Sequence, residues 1–273
     1  MSISINTNVG ALAAQQNLGV SSAKLARTFE RLSSGLRVNS SRDDAAGLAI
    51  ASGLTSQIRG YNMASRNAND SISLLQVAEG SLDETSNALQ RMRELAVQAS
   101  NGLLTTTDRE NLNVEFAQLR SEVERIGYNT KYNGISLLQG QYSMQIQVGA
   151  FEGQMVSIGV FSATASCLCS AKASIGGDGS AAMAAVTLLD GAITSVATMR
   201  ASIGSLQSRL ESVVATLSAQ ELNTESARSR IMDADVAGET SALTRDSILQ
   251  QAAASILAQA NQSPQVAMTL LGR

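Results

Sequence analysis

Apolar residues recur every seven positions along much of the chain, and that spacing alone divides it into elements. Leu189, Val196, Ile203, Leu210 and Leu217 form an unbroken heptad series, with Val186, Ile193 and Val214 at companion positions. A seven-residue repeat keeps one narrow stripe of a helix facing a partner, so this segment reads as a coiled-coil seam. Its helix is expected to start at Ser180, after the breaker Gly176-Gly-Asp-Gly179, and to end near Ser229. At about 1.5 Å per residue it is roughly 70 Å long. A second seam comprises Leu75, Leu82, Leu89 and Ala96, flanked by Ala78, Met92 and Ala99 and closed by the C-cap signal Asn101-Gly102. A third combines Leu112, Leu119 and Ile126 with Phe116 and Val123 and opens at Thr107 or Asp108. Helices with such narrow stripes cover one another, whereas each alone would leave its stripe in water. The pattern predicts a mainly α protein built on a long antiparallel helical bundle.

Between the third and fourth helices the period changes from seven to two. Met144, Ile146 and Val148 alternate with polar residues, and Val156, Ile158 and Val160 do the same after Ala150-Phe-Glu-Gly153. This predicts one small β-hairpin at about 142–160, with Asn133-Gly134 marking an earlier turn. Residues 162–179, rich in Ser, Ala and Gly, read as a short exposed connection.

The chain ends carry a diluted version of the helical pattern. Ala11, Ala14, Leu18, Ser21, Leu25 and Leu32 share a stripe near the N-terminus, and Leu243, Leu249, Ala253, Ile256 and Ala260 do so near the C-terminus. Small residues bury too little area, at about 25 cal/mol per Å², to fold alone. These ends are therefore expected to order only against other chains. Their charges are opposite: residues 1–40 hold Lys24, Arg27, Arg31 and Arg37 against Glu30, while 233–273 hold Asp233, Asp235, Glu239 and Asp246 against Arg245 and Arg273. Such exposed charges set the register of a pairing more than its strength.

Composition removes most chemistry. The 273 residues include no His and no Trp, one Pro and 3% aromatic residues. Without His there is no Ser-His-Asp or Cys-His nucleophile and no His-bearing zinc site. A net charge of −3 gives no electrostatic footprint for nucleic acid. The longest apolar runs fall well short of the roughly 18 residues of a membrane span. Neither a cofactor nor a membrane span is expected, and the partners should be proteins. The first residues lack the basic and apolar regions of a cleavable signal peptide, so the chain is expected to be cytosolic or exported without one.

The remaining candidate groups have ordinary explanations. Asp43-Asp44 and Asp233/Asp235 sit near no His, Cys cluster or phosphate loop, and adjacent helical positions do not share a face, so capping and ion pairing with Arg37, Arg42 or Arg230 explain them best. Gly176-Gly-Asp-Gly179 offers one carboxylate where a calcium loop wants six or more oxygens. Cys167 and Cys169 are too close for an unstrained bridge. Arg outnumbers Lys 17 to 3, which suits interfaces that bind carboxylates with a planar fork.

Several segments together resemble bacterial flagellin. They are Ser2-Ile-Ser-Ile-Asn-Thr-Asn-Val-Gly10, Arg31-Leu-Ser-Ser-Gly-Leu-Arg-Val-Asn39 with Ser41-Arg-Asp-Asp-Ala-Ala-Gly-Leu-Ala-Ile50, and Leu89-Gln-Arg-Met-Arg-Glu-Leu-Ala-Val-Gln98. Tyr132-Asn-Gly-Ile-Ser-Leu-Leu-Gln-Gly140, Ser229-Arg-Ile-Met-Asp-Ala-Asp235 and Ala260-Asn-Gln-Ser-Pro-Gln265 complete the set. The resemblance covers most of the chain outside 161–185 and implies a short form lacking the outer variable domains. It implies discontinuous domains: terminal helices 1–40 plus 233–273 in an inner filament core, and a bundle of 41–161 plus 180–232.

The implied function is non-catalytic. The subunit would self-assemble into the extracellular flagellar filament by coupled ordering of its terminal helices, with Leu18, Leu25, Leu32, Leu243, Leu249, Ile256 and Leu257 at the core interface. Implied partners are further copies of the chain, an export chaperone, the filament cap and the hook–filament junction proteins, with export through the flagellar type III apparatus. Gln90, Arg91, Glu94, Leu95, Glu115 and Gln118 match the stretch read by the host Toll-like receptor for flagellin. The alternatives are a hook–filament junction protein, which shares the end motifs, and an unrelated coiled-coil scaffold, which would explain the seams alone.

Overall fold

The computed structural model describes residues 7–140, 143–159, 161–168 and 173–271, with side chains as far as 262. Among the described residues nine elements follow one another: α1 Val9–Ser34, α2 Ala45–Ala99, α3 Thr106–Asn129, β1 Lys131–Tyr132, β2 Ile135–Ser136, β3 Met144–Gln147, β4 Met155–Ile158, α4 Gly179–Met232 and α5 Val236–Leu271. Two compact units form, one from Met1–Ser56 with Asn223–Arg273 and one from Gln57–Leu222. The α2 and α4 helices contribute to both.

In the unit of residues 57–222 the heptad stripes meet. Leu75, Leu82 and Leu89 of α2 and Leu189, Val196, Ile203 and Leu210 of α4 are at most 1% exposed and lie in one core, while Leu217 belongs to a smaller cluster with Tyr61 and Ala64. Polar groups along the seam fix its antiparallel register. Asn62 Nδ2 donates to Glu221 Oε1 at 2.7 Å, Gln207 Nε2 to Glu79 Oε2 at 3.1 Å, and Arg93 Nε to Asp190 Oδ1 at 2.5 Å, with Arg200 against Asp83 at 2.9 Å. Exposed ion pairs contribute at most about 1 kcal/mol each, so the buried stripe supplies the stability and the charges choose the alignment. One 18-residue window of α4 has a mean hydropathy of 1.5 and is by length and composition apolar enough to cross a membrane. That helix turns Ala182, Ala185, Leu189, Ala192 and Val196 into the protein core.

The third helix begins at Thr106, one or two residues before the expected position. Thr105 is its N-cap and forms a reciprocal capping box with Asp108, whose carboxylate is held below its ordinary pKa first by the Thr105 hydroxyl and then by the Thr105 N–H. The cap's contribution is therefore complete above the ordinary carboxylate range and is lost as pH falls through the depressed value. On the other side, Arg109 closes α2, its Nε donating to Ala99 O at 3.0 Å and its Nη2 to Asn101 O at 3.2 Å.

Two small hairpins complete this unit. In the first, Asn133 and Gly134 both take positive φ, 48° and 80°, as a two-residue turn of the primed type requires. In the second, β3 and β4 pair antiparallel with Ile146 opposite Val156, and Val156 and Ile158 point inward. Val160, expected to extend this strand, lies outside the described residues.

The described residues of 162–179 do not form the exposed connection expected there. Ala163, Ala165, Leu168, Ala173 and Ile175 are buried in the core. The segment pairs with the first hairpin's exit through Ala163 N donating to Leu138 O at 3.0 Å, and it is tied to α3 by Ala165 N donating to Glu124 Oε2 at 2.8 Å and Ile175 N to Asn113 Oδ1 at 3.3 Å. Close approach makes this possible. A Cβ on Gly127 would lie 3.1 Å from Thr164 Cα, so a side chain there would push the segment away by a few tenths of an ångström.

Truncating the seam should be costly. Leu89→Ala, at a fully buried layer, is expected to destabilise the unit by about 3 kcal/mol. Val114→Ala, at a position 63% exposed, should stay within about 0.5 kcal/mol. Urea unfolding followed by circular dichroism measures both.

Candidate functional site

The unit formed by the two chain ends is an antiparallel pair of long helices, α1 and α5. Asn8 opens α1: its Oδ1 accepts from Ala11 N at 3.0 Å, and its Nδ2 donates across to Ala260 O at 2.7 Å. Midway, Gln250 Nε2 donates to Ser22 Oγ at 3.2 Å, and at the far end Arg31 meets Glu239 at 3.2 Å. Those three contacts fix one register along the pair. The opposite charges at the chain ends thus meet in one half-buried ion pair that aligns two helices.

Backbone pairing anchors the C-terminal end of α1. Gly35 takes the left-handed conformation, φ 70°, and stops the helix. The chain then forms a bridge between Leu36 and Asp233, with Arg37 N donating to Met232 O at 2.6 Å and Ala234 N to Gly35 O at 2.9 Å. The carboxylates that stood out in the sequence are consumed by local turns. Asp43 accepts from the Ser40 N–H and hydroxyl, Asp44 from Gly47 N, Asp233 from the Ser229 hydroxyl and Asp235 from Ala237 N. Among the described residues, no group of three or more His, Cys, Asp or Glu is arranged to hold a metal ion. Cys167 is exposed and free, and Cys169 lies outside the described residues.

What distinguishes the α1–α5 pair is how little it buries. Ala14 and Thr28 are the buried residues of α1. Leu18, Leu25, Leu32, Leu243 and Leu257 are half-buried, while Leu249 and Ile256 are 49% and 56% exposed. Leu249 and Ile256 line an open groove with Ala14, Val20 and Ala253. Val9, Leu12, Ile248 and Val236 are also exposed, and the sequence pattern did not single them out because they fall outside its one stripe. Apolar side chains therefore emerge around these helices and not along a single face.

A second surface lies on the other unit, where α2 and α3 run side by side. Arg91 Nε donates to Glu115 Oε1 at 2.9 Å and its Nη1 to Glu94 Oε2 at 3.0 Å, which keeps the guanidinium charged and its pKa raised, the Glu94 hydrogen bond contributing most. Gln90, Glu94, Glu115 and Gln118 are exposed around it. Leu95 differs from these five: it is 1% exposed and fills the core under that face. Next to Arg91 an open groove continues between α2 and α3, with Val77, Gly80, Ala88, Leu119 and Ile126 among its lining residues.

Both chain ends match known proteins. Residues 5–143 match the bacterial flagellin N-terminal helical region and residues 186–271 the bacterial flagellin C-terminal helical region. The chain is 43% identical to a flagellin of Halalkalibacterium halodurans, over 98% of this chain and 99% of that one. It is 40% identical to flagellin FlaB2 of Treponema pallidum and 38% identical to the flagellar filament 31.3 kDa core protein of Treponema maltophilum, again over 98% and 99%. The crystal structure of Bacillus cereus flagellin superposes with a TM-score of 0.51 at 30% identity, covering 60% of this chain and 94% of that one. With the sequence matched over nearly its full length, the chain belongs to the bacterial flagellins, a family of structural, non-catalytic filament proteins.

Proposed function

We propose that the chain is a self-assembling subunit of an extracellular flagellar filament, and that its paired terminal helices are the assembly surface. The observation that supports this most is the exposure of Val20, Leu249 and Ile256 along a helix pair in which little is buried. Two helices that share so small an interface leave apolar area in water at a cost of about 25 cal/mol per Å². Covering that area with the same helices of neighbouring copies recovers the energy and orders the pair as each copy is added. A contact joining different patches on successive copies does not close on itself and yields an open helical polymer. Ala13, Ala14, Ala252, Ala253 and Ala254 suit this role because small side chains let helices approach closely. Before assembly the same surface needs a cover, which an export chaperone supplies, and at the filament's two ends the cap and the hook–filament junction proteins meet it.

A second reading concerns recognition by a host. Gln90, Arg91, Glu94, Glu115 and Gln118 form one exposed, hydrogen-bonded face on α2 and α3, the face that the innate receptor for flagellin would read. Leu95 supports it from beneath.

Deleting residues 236–273 should leave the 57–222 unit helical and cooperative while abolishing seeded polymerisation. Filaments of normal appearance by negative-stain microscopy would refute the assembly reading. In the full chain, Leu249→Ser with Ile256→Ser should raise the critical concentration for polymerisation at least about tenfold, roughly 1.4 kcal/mol per subunit, read from the unpolymerised fraction after centrifugation. For the recognition reading, Arg91→Ala should lower reporter-cell activation by monomer about tenfold with unchanged thermal stability; equal activation would remove that face from consideration.

A further inference from the structure

The dipeptide Asn-Gly occurs twice in the chain, at Asn101-Gly102 and at Asn133-Gly134, and the assembly surface uses neither. Both pairs are exposed, and in both the glycine N–H has no hydrogen-bond partner among the described residues. This dipeptide carries a chemistry of its own. A glycine nitrogen, with no side chain beside it, can attack the carboxamide carbon of the asparagine before it. The attack requires rotation about the asparagine Cα–C bond, because the nitrogen and the side chain must lie on the same side of that bond to come within reach.

At Asn133 the fold opposes that rotation. Asn133 and Gly134 are the loop of the β1–β2 hairpin, with φ of 48° and 80°. A turn of this primed type sets ψ of its first central residue near about +30°, which carries the next nitrogen away from the side chain. Leaving that turn would break the pairs Lys131–Ser136 and Tyr132–Ile135 and the bond from Leu137 N to Thr130 O at 3.0 Å, while Tyr132 and Ile135 pack on the core. At Asn101 the restraints are lighter. Its carbonyl accepts from Leu104 N and Arg109 Nη2, each at 3.2 Å, on a loop whose residues 101–103 are exposed, so water can replace either bond. Gly102 does not take a positive φ, and a Cβ there would meet nothing within 4 Å. The Leu103 N–H donates to Asn101 Oδ1 at 3.1 Å, which puts a donor on the oxygen where negative charge builds when the carboxamide carbon is attacked.

We propose that Asn101 is a site of spontaneous deamidation in the folded subunit, and that the hairpin protects Asn133 from the same reaction. Gly102 N gives up its proton to hydroxide and attacks Asn101 Cγ. The new N–C bond closes a five-membered imide, and the side-chain nitrogen leaves as ammonia, taking a proton from water. A second water opens the imide: at the side-chain carbonyl it yields aspartate, at the main-chain carbonyl isoaspartate. Either product is one charge more acidic than the parent, whose net charge is −3, and it places a carboxylate just past the C-terminal end of α2, the negative end of the helix dipole. Isoaspartate also adds a methylene to the main chain and so displaces the carbonyl that Arg109 holds. The reaction belongs to the folded monomer and does not depend on the filament reading.

The test follows both sites in one sample. The full chain is incubated as monomer in heavy-oxygen water at mildly alkaline pH, then digested in ordinary water with trypsin, which releases residues 94–109 and 132–172 as peptides holding one Asn each. Mass spectrometry should find heavy oxygen entering 94–109, as separable aspartate and isoaspartate forms, at least about tenfold faster than it enters 132–172. In urea, where the hairpin is lost, the two rates should converge. Gly102→Ala fits the open space at that position, so helix content and melting temperature should hold while labelling of 94–109 slows at least about tenfold. An unlabelled 94–109 peptide, equal rates at the two sites in the folded chain, a rate difference that persists in urea, or an unchanged rate in Gly102→Ala each overturns the proposal.

Discussion

A helix whose apolar stripe is only two positions in seven wide cannot stand alone in water, and every part of this molecule answers that constraint. In the 57–222 unit the answer is internal. Leu75, Leu82 and Leu89 of α2 bury themselves with Leu189, Val196, Ile203 and Leu210 of α4, and α3 and the hairpins close the remaining sides. In the unit of the chain ends the answer is incomplete, since α1 and α5 align through Asn8, Ser22 and Arg31 yet leave Leu249 and Ile256 about half exposed.

The difference between the units is a difference of residue size. Where the seam positions are Leu, Ile and Val, burial offsets the conformational entropy of ordering the helix; where they are mostly Ala and Ser, it does not. That contrast suits a subunit that keeps one part folded as a monomer and leaves another for completion by its neighbours. It also accounts for the scarcity of aromatic residues: coiled-coil layers of Leu, Val and Ala interdigitate without them.

The heptad seams were legible at the level of single residues, because a strict seven-residue repeat has one structural meaning. The hairpin was legible for the same reason at period two. The start of α3 was displaced because Thr105-Thr-Thr-Asp108 offers several residues able to cap, and only the reciprocal bond between Thr105 and Asp108 decides among them. The described part of 162–179 is not legible because Ala and Ser look alike in a loop and in a tight contact; Ala163 and Thr164 pack closely on Gly127, far away in the chain. Along the terminal helices the stripe through Leu18, Leu25 and Leu32 was visible, but Val20 and Ile248 lie off it, and a hydrophobic periodicity says nothing about apolar residues outside its one face. Leu95 was a different failure, a core residue at the centre of an exposed motif.

The most direct test of the central claim, that copies of the chain complete one another's terminal helices, is backbone amide hydrogen exchange on monomer and filament. Amides of residues 9–34 and 236–262 should gain at least about a hundredfold protection on polymerisation, whereas those of 75–96 and 189–210 should be protected in both states. Equal protection of the terminal helices in monomer and filament would contradict the account.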